Sequence, residues 1–175
     1  MTNSKEFSLN HELVLELELG DIVEFPRENY SHFGIYVGDG NVIHALAEDT
    51  IIAVCGKALS RVSYASSSSS GITMKTFIKG TVIQQNFFDV AKKSVAKKNN
   101  LLDGKIKPLS PKKIVEKAKS MMEKSCDYDL LKTNCEHFAT WCRYGIGYSK
   151  QTNSFCLNAF PPSIEEAIPD TRDFM

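Results

Sequence analysis

The chain has 175 residues, 42% hydrophobic and 24% charged, with 21 basic and 21 acidic side chains and a net charge of zero. This is the composition of one folded domain with a proper core rather than a disordered chain, and its balance gives no ground for a nucleic-acid partner. No run nears the roughly 18 apolar residues of a membrane span, residues 1–7 lack a signal-peptide core, Thr2 excludes N-myristoylation, and five cysteines without framework spacing suit a reducing compartment, so the expectation is a cytoplasmic protein that meets membranes only at their surface.

Leu13 to Leu19 alternates leucine with valine or glutamate and predicts a half-buried strand. Ile22 to Phe25 resumes an extended run that Pro26 stops. His32 to Val37 and Asn41 to Leu46 read as two strands joined at Gly38-Asp39-Gly40, a strong hairpin signal. Ile51 to Cys55 fits a strand or a helical turn, and Ser66 to Ser70 a low-complexity loop. Ile72 to Ile78 and Thr81 to Ile83 read as strands flanking Lys79-Gly80, and Asn99 to Leu109 as a loop. Ser110-Pro111 starts a helix, with Ile114, Val115, Ala118, Met121 and Met122 on one face.

Asn134 as N-cap and Gly145 as closing residue bracket a second helix of about three turns, with Cys135 at its first position. There the positive end of the helix dipole favours a thiolate, which is what a nucleophile needs; the plain alternative is a small buried apolar residue. After Gly147 the chain reads as irregular, and residues 161–175 as a loose acidic tail to a single domain over 1–160. Strands first and helices later, without βαβ alternation, predict an α+β fold with an antiparallel sheet.

A thiol nucleophile needs a base. His11 lies in the polar N-terminal stretch, and His137, two residues along the helix, does not face Cys135. His32 and His44 remain, one on each strand of the hairpin. A strict two-residue loop would put them on opposite faces. A three-residue loop or a bulge pairs residue 34 with 44 and sets the two histidines diagonally on one face, about 7–8 Å apart by Cα. The register with both on one face is the one expected. These are the parts of a papain-type thiol site, in which an imidazole takes the thiol proton and a second polar group orients the ring. A metal site from His32, His44 and Cys135 is disfavoured, because no second close ligand pair accompanies it.

His32-Phe-Gly-Ile-Tyr-Val-Gly-Asp-Gly-Asn-Val-Ile-His44 and Asn134-Cys-Glu-His-Phe138 resemble the two motifs of the lecithin:retinol acyltransferase-like family, which includes the HRAS-like suppressor phospholipase A/acyltransferases. The similarity runs from about Leu17 to Phe155, and Arg143-Tyr144-Gly145 also fits it. The resemblance implies a circularly permuted papain-like (NlpC/P60) domain with Cys135 as nucleophile, His32 as base, His44 supporting the ring, and Tyr128 near the oxyanion site. It implies acyl transfer from a glycerophospholipid, such as phosphatidylcholine or phosphatidylethanolamine, through a Cys135 thioester to water, an amine or an alcohol. No metal or other cofactor is implied, a thiolate–imidazolium pair being nucleophile and acid in one. Members of the family often end in a hydrophobic anchor, which residues 161–175 do not resemble. The ten lysines of residues 92–119, against Asp103 and Glu116, are then the candidate contact with anionic lipid. A non-catalytic scaffold of the same fold and a cysteine peptidase or amidase are the competing readings.

Overall fold

The computed structural model describes residues 4–47, 78–122, 125–128, 134–151 and 153–156. The readings of residues 51–55, 66–70 and 72–77, and of the tail over 161–175, lie outside the described residues.

The chain opens with helix α1 (Ser4–Glu16), not the strand read from Leu13 to Leu19. Leucine and glutamate are strong helix formers, and their alternation satisfies either period. The buried face decides it: Asn10, Leu13, Val14 and Leu17 turn inward while Glu12, Leu15 and Glu16 face solvent. Asn10 fixes the helix, accepting from Ala96 N–H at 2.8 Å and donating to Ser94 C=O at 2.9 Å.

Strands β1 (Ile22–Pro26), β2 (Ser31–Gly38) and β3 (Asn41–Ala47) follow as an antiparallel meander, and β4 (Ile78–Asn86) adds to β3. β4 runs unbroken through Lys79-Gly80, so these two residues are strand and not the point between two strands that the sequence suggests. Helix α2 (Phe87–Ala91), the short strand β5 (Lys97–Lys98), helix α3 (Pro111–Ser120), strand β6 (Ser125–Tyr128) and helix α4 (Cys135–Tyr144) come next. The six-stranded sheet has the order β5-β1-β2-β3-β4-β6, every pair antiparallel. The α+β expectation therefore holds. β7 (Gly147–Ser149) and β8 (Ser154–Cys156) form a small second sheet where irregular chain was expected; three-residue strands leave too little pattern to read.

The sheet has helices on both faces. Ile22, Ile35 and Ile43 pack against Ile114 and Ala118 of α3 and Phe138, Ala139 and Cys142 of α4. Phe25, Tyr36 and Val42 pack on the other side with Leu17, Phe87 and Val90. α3 begins at Pro111 with Ser110 in the cap conformation but without a side-chain cap bond. It is shorter than the apolar spacing implied: Met121 closes it, its N–H turned back to Ala118 C=O.

Arg143 and Tyr144, which fit the family pattern, serve this packing. Arg143 grips Asp103 with two hydrogen bonds of 2.9 and 2.7 Å and donates to Gly20 C=O at 2.8 Å. Tyr144 Oη donates to the same carboxylate at 2.8 Å. Burial by itself would raise the Asp103 pKa, but the bonds and charge of Arg143 outweigh it and hold the carboxyl low. The C-terminal end of α4 is thereby tied to the loop after β5 and to the turn before β1.

Candidate active site

The hairpin turn decides where the histidines point. Asp39 and Gly40 both have positive φ, the twist that suits a two-residue turn between right-handed strands. Gly38 pairs with Asn41 beside that turn, and a bulge between Tyr36 and Gly38 then shifts the register to Gly34 opposite His44. The expected one-face register is thus reached through the bulge rather than a three-residue loop. His32 Nε2 and His44 Nδ1 are 2.8 Å apart, with the rings edge to face at 89°. Gly34 is what lets them approach: a Cβ there would collide with Val42 Cγ1 and come within 3.1 Å of His44 Cβ.

Both rings are buried, His32 8% and His44 1% exposed. Burial is the main force lowering His32 from its ordinary 6.5 to about 3, with the positive charges of His44, Arg27 and Lys92 adding to it. His44 is lowered to about 4, again chiefly by burial, against the opposing pull of its bond to Gln85. At neutral pH both imidazoles are uncharged. Taking two coupled rings out of water disfavours the charged form of each.

Helix α4 brings in the cysteine. Asn134 has the extended cap conformation, and its Oδ1 accepts the Glu136 and His137 N–H groups at 3.0 and 3.1 Å. His137 Nδ1 accepts the Asn134 N–H in return, so the histidine nearest to Cys135 in sequence serves the cap. Gly145 takes φ 82 and closes the helix. Cys135 is buried at the first helical position, its Sγ 3.9 Å from Ser31 C=O, the carbonyl just before His32. The structure thus brings His32 and His44 into contact and sets the thiol against the neighbouring backbone. Tyr128 ends β6 on the outer edge of the sheet, paired with Ile78 of β4.

Three residues at this place were not singled out by sequence reasoning. Gln151 Oε1 accepts Ser31 N–H at 2.8 Å and Gln151 Nε2 donates to Ser31 C=O at 3.1 Å, standing in for a paired strand beside the thiol. Glu136, buried, accepts from Ser149 Oγ at 2.6 Å and from Gln151 N–H at 3.1 Å, which anchors that side chain to α4. Gln85 Oε1 lies 3.0 Å from His44 Nε2. Extending the strand at Thr81–Ile83 by two residues would have reached Gln85, but its register depends on a connection with no pattern to count through. As for a metal, the histidines spend Nε2 and Nδ1 on each other instead of aiming both at a common point. Among the described residues no group of three metal-ligating side chains gathers.

The domain is thus an antiparallel α+β fold with Cys135 at a capped helix N-terminus, against the strand that carries one of two bonded histidines. The chain belongs to the lecithin retinol acyltransferase family, whose model matches residues 15–147. It is 35% identical over 140 residues to the Homo sapiens protein phospholipase A and acyltransferase 3, covering 80% of this chain and 78% of the relative. It is 37% identical over 133 residues to phospholipase A and acyltransferase 2 of Homo sapiens, covering 76% and 74%. With lecithin retinol acyltransferase of Bos taurus it shares 33% over 159 residues, 79% of this chain and 60% of the relative.

Proposed function

We propose that the protein is a thiol-dependent phospholipase A/acyltransferase that moves an acyl chain from a glycerophospholipid through a thioester on Cys135. The observation that carries this reading is the buried His32–His44 pair at 2.8 Å, together with Cys135 at a helix N-terminus, its Sγ 3.9 Å from the carbonyl that precedes His32. The names of the relatives, phospholipase A and acyltransferase and lecithin retinol acyltransferase, supply the substrate class.

In this reading His32 takes the Cys135 Sγ proton as the sulfur attacks the ester carbonyl carbon. The oxyanion is met by the Cys135 N–H and the positive end of the helix, with Tyr128 as a further donor. Collapse breaks the ester C–O bond, and the departing glycerol oxygen takes the proton from His32, leaving lysophospholipid and an S-acyl enzyme. Water, an amine or an alcohol then attacks the thioester while giving its proton to His32, and the thiol is regenerated. His44 holds the His32 ring throughout. Because the resting pair is neutral, the proton moves with the attack instead of before it.

Phosphatidylcholine and phosphatidylethanolamine are the proposed donors, met at a membrane surface from the cytoplasm. No helix among the described residues is long and apolar enough to cross a membrane. Lysines 92, 93, 97, 98, 105, 107, 112, 113 and 119 are exposed and are the proposed contact with anionic lipid. The chain order, histidine strands before the cysteine helix, fits a circularly permuted papain-like arrangement within one domain over 1–160. The test is lysophospholipid and fatty-acid release from phosphatidylcholine vesicles. Wild type releases both, while Cys135→Ala and His32→Gln release neither; release by Cys135→Ala at the wild-type rate overturns the proposal.

A further inference from the structure

The row of polar side chains does not stop at His44. Gly34 pairs with His44, and His44 in turn pairs with Ile83 of β4. His32 lies two residues from Gly34 and Gln85 two residues from Ile83, so His32, His44 and Gln85 form one diagonal across three strands on a single face. The contacts follow that diagonal: His32 Nε2 to His44 Nδ1 at 2.8 Å, then His44 Nε2 to Gln85 Oε1 at 3.0 Å. Of the three side chains only Gln85 belongs to an exposed residue.

We propose that Gln85 is a positioning residue for the imidazole pair, its side-chain carbonyl selecting the tautomer of His44 and, through His44, the tautomer of His32. This rests on the reading of His32 as the base. A neutral imidazole has one N–H and one lone pair, and the His32–His44 bond holds a single proton. Only two arrangements are then consistent. With a carbonyl facing it, His44 Nε2 must carry the proton and donate it to Gln85. His44 Nδ1 is then a lone pair and accepts from His32 Nε2–H, which leaves the lone pair of His32 on Nδ1. That is the nitrogen not spent on His44, and so the one able to take the thiol proton. With a donor facing His44 Nε2 instead, every proton in the row reverses. His32 Nδ1 then carries a hydrogen, and the ring cannot act as a base from that side.

The burial that keeps both rings uncharged makes this choice consequential, since a doubly protonated ring has no tautomers to select. The carbonyl of Gln85 thus plays, two side chains from the sulfur, the part that an orienting group plays when it bonds the base directly.

The experiment uses the full chain, phosphatidylcholine vesicles and three substitutions at this exposed position. Gln85→Glu keeps the acceptor and adds a negative charge, so kcat stays within about twofold and the acid limb of the pH profile moves up. Gln85→Leu removes the bias and lowers kcat about fivefold with KM unchanged, the weight of one hydrogen bond. Gln85→Lys offers only donors and lowers kcat by more than about tenfold, below the leucine variant, because it favours the wrong tautomer. All three unfold at the wild-type temperature. Nitrogen-15 NMR of the imidazoles in the resting protein reads the protons directly, with Nε2–H expected on both rings in wild type and reversal in Gln85→Lys.

Equal losses in all three variants, or no loss in any, overturn the proposal, as does a wild-type His44 protonated on Nδ1. Cys135→Ala and His32→Gln in the same assay separate the two claims. If they stay active, the reading of the site falls and the NMR still decides the tautomer. If they are inactive while the Glu, Leu and Lys order is absent, Gln85 alone loses its role.

Discussion

Lowering the pH from 7 to 5.5 should destabilise this protein through His32 and His44 before it affects any carboxylate held low by its partners. Each ring titrates near 6.5 when unfolded, but burial lowers the folded values to about 3 and about 4. Below pH 6.5 the unfolded chain binds protons that the folded chain refuses, so stability is full above that pH and is lost as pH falls toward the folded values. At pH 5.5 each ring contributes a loss of about 1.2 kcal/mol relative to pH 7, or about 2.5 kcal/mol for the pair. With a urea slope of about 2 kcal/mol/M, the unfolding midpoint drops by roughly 1 M. Asp21 and Asp103, already below the ordinary 3.8, do not titrate in this window. Urea unfolding followed by tryptophan fluorescence at the two pH values measures the drop, and in His44→Gln it shrinks to about half. A midpoint that does not move between pH 7 and 5.5 would refute the buried neutral pair.

Gly34→Ala puts a methyl group into Val42 and against His44, so it should destabilise by about 1–3 kcal/mol and cut kcat by separating the rings, measured by thermal unfolding and lysophospholipid release. Asn134→Ala removes the cap of α4 and should cost about 1–2 kcal/mol in urea unfolding, with a further loss of activity as Cys135 loses its fixed position. Asp103→Ala leaves Arg143, which is 8% exposed, without its bidentate partner and should cost about 2–3 kcal/mol in urea unfolding with kcat nearly unchanged.

What the sequence made legible is what short-range chemistry controls. Gly38-Asp39-Gly40 announces a turn, and Asn134 and Gly145 announce the ends of α4, because each residue has a conformational preference of its own. The register of the two histidines followed, since only an odd shift or a bulge sets them on one face. Other features depend on partners far along the chain. Leu13 to Leu19 fits strand or helix, and only the Asn10 bonds to residues 94 and 96, with the core beneath, make its first four residues helical. Gln85 and Gln151 reach the site from strand β4 and the turn after β7, distances in sequence that no local pattern spans. The lowered pKa of both imidazoles was equally out of reach, because it comes from the burial of the pair and not from the residue types.

Intact-mass spectrometry after brief exposure to phosphatidylcholine tests the thioester most directly. The mass should rise by one fatty-acyl group, the increment should map to the peptide carrying Cys135 and be released by hydroxylamine, and Cys135→Ala should show none. Lysophospholipid formation with no acyl increment on wild type, or an increment that persists in Cys135→Ala, would contradict a Cys135 acyl-enzyme.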